Sequence, residues 1–200
     1  MATWRYKHFE ANVNRARDLV ALGQGIGAMT SGRVDSSDMY RASLVQGVAA
    51  LDHYVHGVIL DRSVGILLSR LPGTSAASKI GLPVSAVQEI LSANSDVERE
   101  QRARTHIVER LSRETYQRSS AIGAGLASVG VPQVWSNGFQ GAQKSQLLAL
   151  DLVVGRRNRI AHECDIDPTS PGSVVSLTAV DALDSLSTVE ACARAIDFQI

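Results

Sequence analysis

The sequence predicts an all-α fold, and three observations support this. Apolar residues recur at helical spacing through most of the chain, no alternating strand pattern extends beyond a few residues, and turn-forming residues gather in a few short stretches. Hydrophobic residues make up 44% of the 200 positions and charged residues 20%, which is a globular composition. A chain of this length can bury a sizeable core without disulfides. We therefore expect one domain spanning residues 1–200.

The first two predicted helices occupy the N-terminal third. The first runs from about Trp4 to about Met29, and the second from about Ser37 to about Leu68. Apolar residues of the second helix follow one another at intervals of 4, 3, 4 and 3 positions, as expected in a helical bundle. These residues are Leu44, Val48, Leu51, Val55 and Val58. Residues 71–83, which read LPGTSAASKIGLP, form the clearest predicted loop.

Two helices are predicted in the middle of the chain. Residues 84–91 form a short helix, with Pro83 suited to its first position. Ser95 and Asp96 then cap a charged helix over about 97–118, whose mixed charges are typical of a solvated face.

Two more helices are predicted in the C-terminal part. The glycine-rich residues 121–139 are expected to form a weak helical turn and then a loop. A helix follows over about 143–162 and ends before the proline-containing loop DIDPTSPGS. The last helix spans about 179–198, with Thr178 and Asp181 spaced for a capping box.

Charge, cysteine content and hydropathy exclude several classes of protein. The net charge is zero, with 20 basic and 20 acidic residues, which is not the balance of a protein that coats nucleic acid through overall basicity. The two cysteines, Cys164 and Cys192, cannot form a disulfide-rich scaffold and lack metal-knuckle spacing. No apolar run approaches the length of a bilayer-spanning helix, and the first residues lack the apolar core of a secretory signal. We expect a cytoplasmic protein without membrane contact.

The segment DLVVGRRNRIAHECDID, residues 151–167, is the most informative part of the sequence. On a helical projection Arg157 falls inside the apolar sector, and Asn158 and His162 lie one turn apart on a neighbouring face. A buried guanidinium needs a partner. Arg157 is therefore either a paired core arginine or an arginine that faces a cleft or interface and binds an anion.

Two segments resemble a known family. RRNRIAH is similar to the signature of HEPN domains, an all-α superfamily in which an arginine and the polar residue after it precede a histidine by a few positions. ALDHYVHGVIL, residues 50–60, resembles the early helix of the RiboL-PSP type of HEPN domain, which also shows an acidic Asp-x-Asp-Pro loop after the histidine, here Asp165 to Pro168. The resemblance implies a HEPN-like antiparallel helical bundle of about five to seven helices. A second Arg–His spacing, Arg99 and His106, has Glu100 after the arginine and is interpreted as accidental.

The resemblance also implies an activity. Catalytic HEPN proteins are metal-independent endoribonucleases that use the 2′-hydroxyl of RNA as nucleophile and leave a 2′,3′-cyclic phosphate. His162 is expected to transfer protons, Arg157 to bind the phosphate and Asn158 to orient either group. Arg156 and Arg159 are expected to bind RNA, and two copies are expected to face each other in a homodimer.

The remaining expectations concern partners and supporting residues. The protein is predicted to act as a toxin or a phage-defence or stress effector, with a separate antitoxin or regulatory protein and with no cofactor or metal. Asp52 and His56, one turn apart on the second helix, either brace the site, with Asp52 pairing with Arg157, or form a plain surface pair. A metal site at His162 and the following acidic residues is disfavoured, because an acidic loop is usually solvated.

Two rival interpretations stay open. The chain could be a non-catalytic HEPN-like module that binds RNA, a nucleotide or a protein partner. It could also be a generic helical bundle with a chance motif, which would be favoured by a buried Arg157 and His162 paired away from any cleft or interface.

Overall fold

Eight α-helices are present in the computed structural model, which describes residues 2–74, 81–170 and 172–200. They are α1 (Trp4–Met29), α2 (Ser37–Leu67), α3 (Val84–Leu91), α4 (Asp96–Leu111), α5 (Ser119–Ser128), α6 (Val134–Phe139), α7 (Gln143–Glu163) and α8 (Ala179–Asp197). In these residues extended pairing is limited to a single bridge between Ile166 and Val174. The predicted all-α class is confirmed.

Helix α2 lies at the centre of the packing. It contacts α1, α4, α5, α7 and α8. Every residue of its predicted apolar stripe, from Leu44 to Val58, is at most 2% exposed. Tyr54 is also buried and packs edge-on against Tyr6 of α1, as expected of a packing aromatic. At Gly47 a side chain would collide with Leu186, so this glycine allows α8 to approach α2 closely.

Most helix ends follow local capping rules. Thr3 caps α1 by accepting a hydrogen bond from the backbone of Tyr6, and Ser95 caps α4 in the same way. Thr178 and Asp181 form the predicted capping box of α8. Pro83 precedes α3 as its cap and is not its first helical residue.

Helix α4 ends seven residues before the predicted end. The charge pattern continues to residue 118, but the helix stops at Leu111. Asp52 of α2 accepts hydrogen bonds from the backbone N–H of Tyr116 and the side-chain amide of Gln117, which holds the following segment against α2. A tertiary contact therefore overrides the local helical pattern.

The predicted number of helices is too low because residues 119–139 contain two short helices. At Gly125 a side chain would collide with Tyr116 and Ile59, so this glycine serves close packing and does not mark a loop. Trp135 of α6 donates its indole N–H to the backbone oxygen of Ser119, over 2.9 Å, and ties α6 to α5.

Two other expectations concern the loop and the membrane. The predicted loop over residues 71–83 lies partly outside the described residues, which leave out 75–80. In the part of the chain that the structure describes, none of the helices combines the length and apolarity needed to cross a bilayer.

Candidate functional site

Helix α7 carries the motif and is anchored by only two fully buried side chains. Leu150 and Val154 are at most 1% exposed and face the core, where α7 packs against α2 and α8. The helix ends before Cys164 and Asp165, which both have left-handed backbone angles. The backbone N–H groups of these two residues donate hydrogen bonds to the carbonyl oxygen of Arg159. The chain therefore turns immediately after the last motif residues.

Arg157 lies in the apolar sector of α7, as predicted, and reaches a cavity of about 400 Å³. We name this space the α2–α4–α7 cavity; its wall residues include Ala49, Asp52 and His56 of α2, Val108 and Leu111 of α4, Gln117, and Arg157. The side chain of Arg157 hydrogen-bonds to Oδ1 of Asn158, over 3.1 Å. Its Nε is buried and has no hydrogen-bond partner. No carboxylate among the described residues forms an ion pair with Arg157, so the expected Asp52–Arg157 pair is not formed.

Asp52 instead braces the wall of the cavity. Its carboxylate accepts hydrogen bonds from the backbone N–H of Tyr116, over 2.6 Å, and from Nε2 of Gln117, over 3.1 Å. The same carboxylate lies 3.3 Å from Nδ1 of His56. Burial alone would raise the pKa of Asp52, but hydrogen bonds from His56, Gln117 and Tyr116 outweigh it and lower this pKa. Asp52 is therefore an ionised structural anchor.

His56 is held on both ring nitrogens by acceptors. Nδ1 lies 2.8 Å from the backbone oxygen of Asp52, and Nε2 lies 3.3 Å from the backbone oxygen of Leu111. Its ring packs edge-on against Tyr116, with 4.7 Å between the ring centroids. Burial lowers the pKa of His56, but the hydrogen bonds to Asp52 outweigh it and raise this pKa. Two acceptors suit the doubly protonated imidazolium.

Arg156, predicted to bind RNA, is occupied by structural contacts. Its Nη2 donates to Oδ2 of Asp165 at 2.7 Å and to the backbone oxygen of Val175 at 2.9 Å. Arg41 of α2 donates to the same carboxylate oxygen at 3.0 Å. Asp165 is fully buried, so the expectation that it belongs to a solvated acidic loop is wrong. In this arrangement Arg156 joins α7 to the segment before α8.

Sequence reasoning missed the pair Arg41 and Asp165. A signal was available for Arg41, because it lies one turn before Leu44 and continues the buried stripe of α2. A charged residue in such a stripe requires a buried partner. Its partner is 124 positions away along the chain, so local pattern could not identify it.

The outward face of α7 forms a continuous exposed stripe. Leu148 and Leu152 are 61% and 66% exposed, and a side chain at Gly155 would meet open space. Arg159 and His162 are also exposed and continue the same spacing toward the end of the helix. The stripe therefore places apolar residues next to two of the predicted site residues.

The structure brings only part of the predicted site together in one chain. Arg157, Asp52 and His56 share the cavity, and Asn158 contacts Arg157. Arg157 and His162 are five residues apart, which is about 140° around a helix, and His162 faces outward. A single chain therefore presents Arg157 and His162 on different sides of α7.

No cluster of metal-ligand type occurs within residues 2–74, 81–170 and 172–200. These residues contain no group of three or more His, Cys, Asp or Glu side chains that could hold a metal ion. Near the motif, Asp165 is engaged by Arg41 and Arg156, and the Asp167 carboxylate accepts hydrogen bonds from Thr169. These two aspartates thus have structural partners.

Comparisons of the chain with family models, curated proteins and solved structures give no match. The resemblance to HEPN domains therefore stands on the residues themselves. The two segments that carry it lie in α2 and α7, which pack against each other and both contribute to the α2–α4–α7 cavity.

Proposed function

We propose that this protein is a metal-independent endoribonuclease with a HEPN-like fold, which cleaves RNA through the 2′-hydroxyl. The observation that carries the proposal is Arg157, a half-buried guanidinium with no carboxylate partner among the described residues. A cation in this position is stabilised by binding an anion, and the guanidinium fork matches the oxygens of a phosphate.

The residue types of the motif suit RNA transesterification. The 2′-oxygen attacks the adjacent phosphorus as a base takes its proton, and the 5′-oxygen of the next nucleotide leaves with a proton from an acid. Arg157 stabilises the negative charge that builds on the phosphorus oxygens. His162 is the proton-transfer group, because its exposed imidazole can both accept and donate a proton. The products are a 2′,3′-cyclic phosphate and a 5′-hydroxyl.

A homodimer supplies the second proton-transfer group that a single chain lacks. One imidazole cannot act as base and acid at the same moment, so a second copy of His162 is needed. A two-fold interface on the outward stripe would bury Leu148 and Leu152 against their symmetry mates. It would also bring Arg159 and His162 of both copies to one cleft, which concentrates positive charge on a chain of zero net charge.

The proposed biological role follows from the activity. An RNA-cleaving protein of the cytoplasm damages its own cell unless it is controlled. We therefore place this protein among toxins and phage-defence or stress effectors, and we assign its control to a separate antitoxin or regulatory protein.

The experiment is cleavage of total RNA by the purified protein in excess EDTA. The wild-type protein should cleave RNA and leave cyclic-phosphate ends, whereas Arg157→Ala and His162→Ala should reduce the rate at least about a hundredfold, as expected for removal of a charge-stabilising or proton-transfer group. Arg99→Ala and His106→Ala are the matched controls, because these residues form a second Arg–His pair on one helix, seven positions apart instead of five, but pair with Asp96 and Glu89 on another surface. Both control variants should cleave at the wild-type rate.

Three results would contradict the proposal. Loss of cleavage in EDTA would indicate a metal-dependent nuclease. Equal loss in the control variants would show that the motif has no special role. No cleavage by a folded dimer would favour the second candidate, a non-catalytic module that binds RNA, a nucleotide or a protein. The separation of Arg157 from His162 around α7 supports this second candidate.

A further inference from the structure

Helix α3 has apolar residues on two faces, and only one of these faces is covered. Ala86 and Ile90 are at most 3% exposed, and among the described residues α3 contacts a single other helix, α4. On the second face Val84, Val87 and Leu91 are 85%, 38% and 71% exposed. Their spacing of three and four positions places them within about 60° of the helix circumference. We name these three residues the α3 stripe.

The α3 stripe is not needed for the packing of its own helix. A helix of eight residues is too short to be stable without tertiary contacts, and the buried Ala86 and Ile90 supply those contacts. A helix that is apolar on all sides is usually buried within a protein. Three aligned apolar residues in contact with solvent therefore indicate a surface that another molecule covers.

A groove of about 300 Å³ extends the α3 stripe toward the end of α2. Leu91 lines the groove on the α3 side, Leu67 and Leu68 line it at the end of α2, and Asp96 and Arg99 line it from α4. A concave groove of this kind can take a protruding apolar side chain, as an anchor residue does at many protein interfaces. A lipid bilayer presents a flat surface and would leave the groove unfilled.

The groove is positively charged. Two arginines line it, Arg70 and Arg99, against one carboxylate, that of Asp96. Glu100 accepts a hydrogen bond from Arg70 at 2.5 Å but is shared with Arg104. The Nε atom of Arg99 is buried, and no described residue accepts a hydrogen bond from it. A carboxylate on a partner complements this charge, whereas a second copy of the chain across a two-fold axis would place the same arginines against each other.

We propose that the α3 stripe and its groove bind an amphipathic, acidic helix of another protein. The apolar side chains of that helix cover Val84 and Val87 and insert beside Leu91, and an aspartate or glutamate of the helix pairs with Arg99. This is the helix-in-groove mode of recognition, in which anchors recur at intervals of three and four positions. The surface lies on α3, the end of α2 and the start of α4, so it is distinct from the motif on α7.

The test is fluorescence anisotropy with two labelled peptides of about 18 residues, a length sufficient for helix formation in isolation. Both peptides repeat leucine at intervals of three and four positions along one face. The first peptide has glutamate beside the leucines, and the second has lysine at the same positions. The glutamate peptide should bind the wild-type protein at least about tenfold more tightly than the lysine peptide.

Two variants test the named residues against a matched control. Leu91→Ser removes the apolar contact shared by the stripe and the groove from an exposed position, and it should weaken binding of the glutamate peptide at least about tenfold. Val180→Ser is the control, because Val180 is 65% exposed on α8, and it should bind as the wild-type protein does. Arg99→Glu should reverse the preference, so that the lysine peptide binds more tightly.

The inference fails if neither peptide binds at about 100 μM, or if Leu91→Ser binds the glutamate peptide within about twofold of the wild-type protein. Leu91-dependent binding of phosphatidylcholine–phosphatidylserine vesicles without peptide binding would overturn it in favour of a membrane surface. A loss of self-association in Leu91→Ser, measured by light scattering, would overturn it in favour of a second copy of this chain. These measurements contain no RNA, so their outcome is independent of the ribonuclease proposal.

Discussion

Asp165→Asn is expected to destabilise the protein strongly. The Asp165 carboxylate has no exposed surface and accepts from Arg41 at 3.0 Å and from Arg156 at 2.7 Å. An asparagine of the same shape removes the negative charge and leaves two guanidinium groups without their shared counter-ion. Removing one partner of a buried ion pair costs about 3 to 5 kcal/mol. We expect about 3 kcal/mol, because both arginines keep hydrogen bonds to the backbone oxygen of Val175.

The assay is urea unfolding followed by circular dichroism at 222 nm. With a slope of about 2 kcal/mol per molar urea, a loss of about 3 kcal/mol lowers the midpoint by about 1.5 M. In a thermal scan the melting temperature should fall by about 6 to 12 °C for a chain of this length. Asp167→Asn is the control, because that carboxylate accepts from Thr169 within its own loop. If Asp165→Asn and Asp167→Asn unfold at the same urea concentration, the buried Asp165 carboxylate does not stabilise the fold as an ion-pair partner.

Two further predictions concern His56 and the outward face of α7. Asp52 raises the pKa of His56 above its ordinary value of 6.5 in the folded protein. The stability lost in His56→Gln should therefore be largest below about pH 6.5 and should shrink as the pH rises through the folded pKa. Urea unfolding at about pH 6 and pH 9 measures this loss, and a loss that grows with pH would contradict the prediction. Leu152→Glu should raise the dimer dissociation constant at least about tenfold, measured by light scattering, whereas Val180→Glu, at a similarly exposed position of α8, should leave the dimer intact. A wild-type monomer at micromolar concentration would exclude the dimer.

The helices were largely predictable because their signals are local. The first helix begins at Trp4 and ends at Met29, as predicted, and the bounds of the other long helices α2, α7 and α8 differ by a single residue. Apolar spacing and capping residues act within one or two turns, so a sequence pattern can reveal them. The same spacing placed Arg157 in one sector with Leu150 and Val154, which the structure confirms.

The remaining features depend on contacts between distant parts of the chain. Asp52 ends the regular run of α4 by holding Tyr116, which lies 64 positions further along the sequence. Gly125 is a contact point for Ile59 and Tyr116 and not a helix breaker, and only the packed structure distinguishes the two roles. Asp165 can be buried because Arg41 of α2 donates a hydrogen bond to its carboxylate. No local pattern encodes these partners.

The ribonuclease proposal is best tested by cleavage of one RNA oligonucleotide in EDTA, with and without a 2′-hydroxyl at the mapped cleavage position. The all-ribose oligonucleotide should be cut there and carry a 2′,3′-cyclic phosphate, and a single 2′-deoxy substitution at that nucleotide should abolish the cut. Continued cleavage at the 2′-deoxy position would contradict it, because the nucleophile would then come from somewhere other than the RNA.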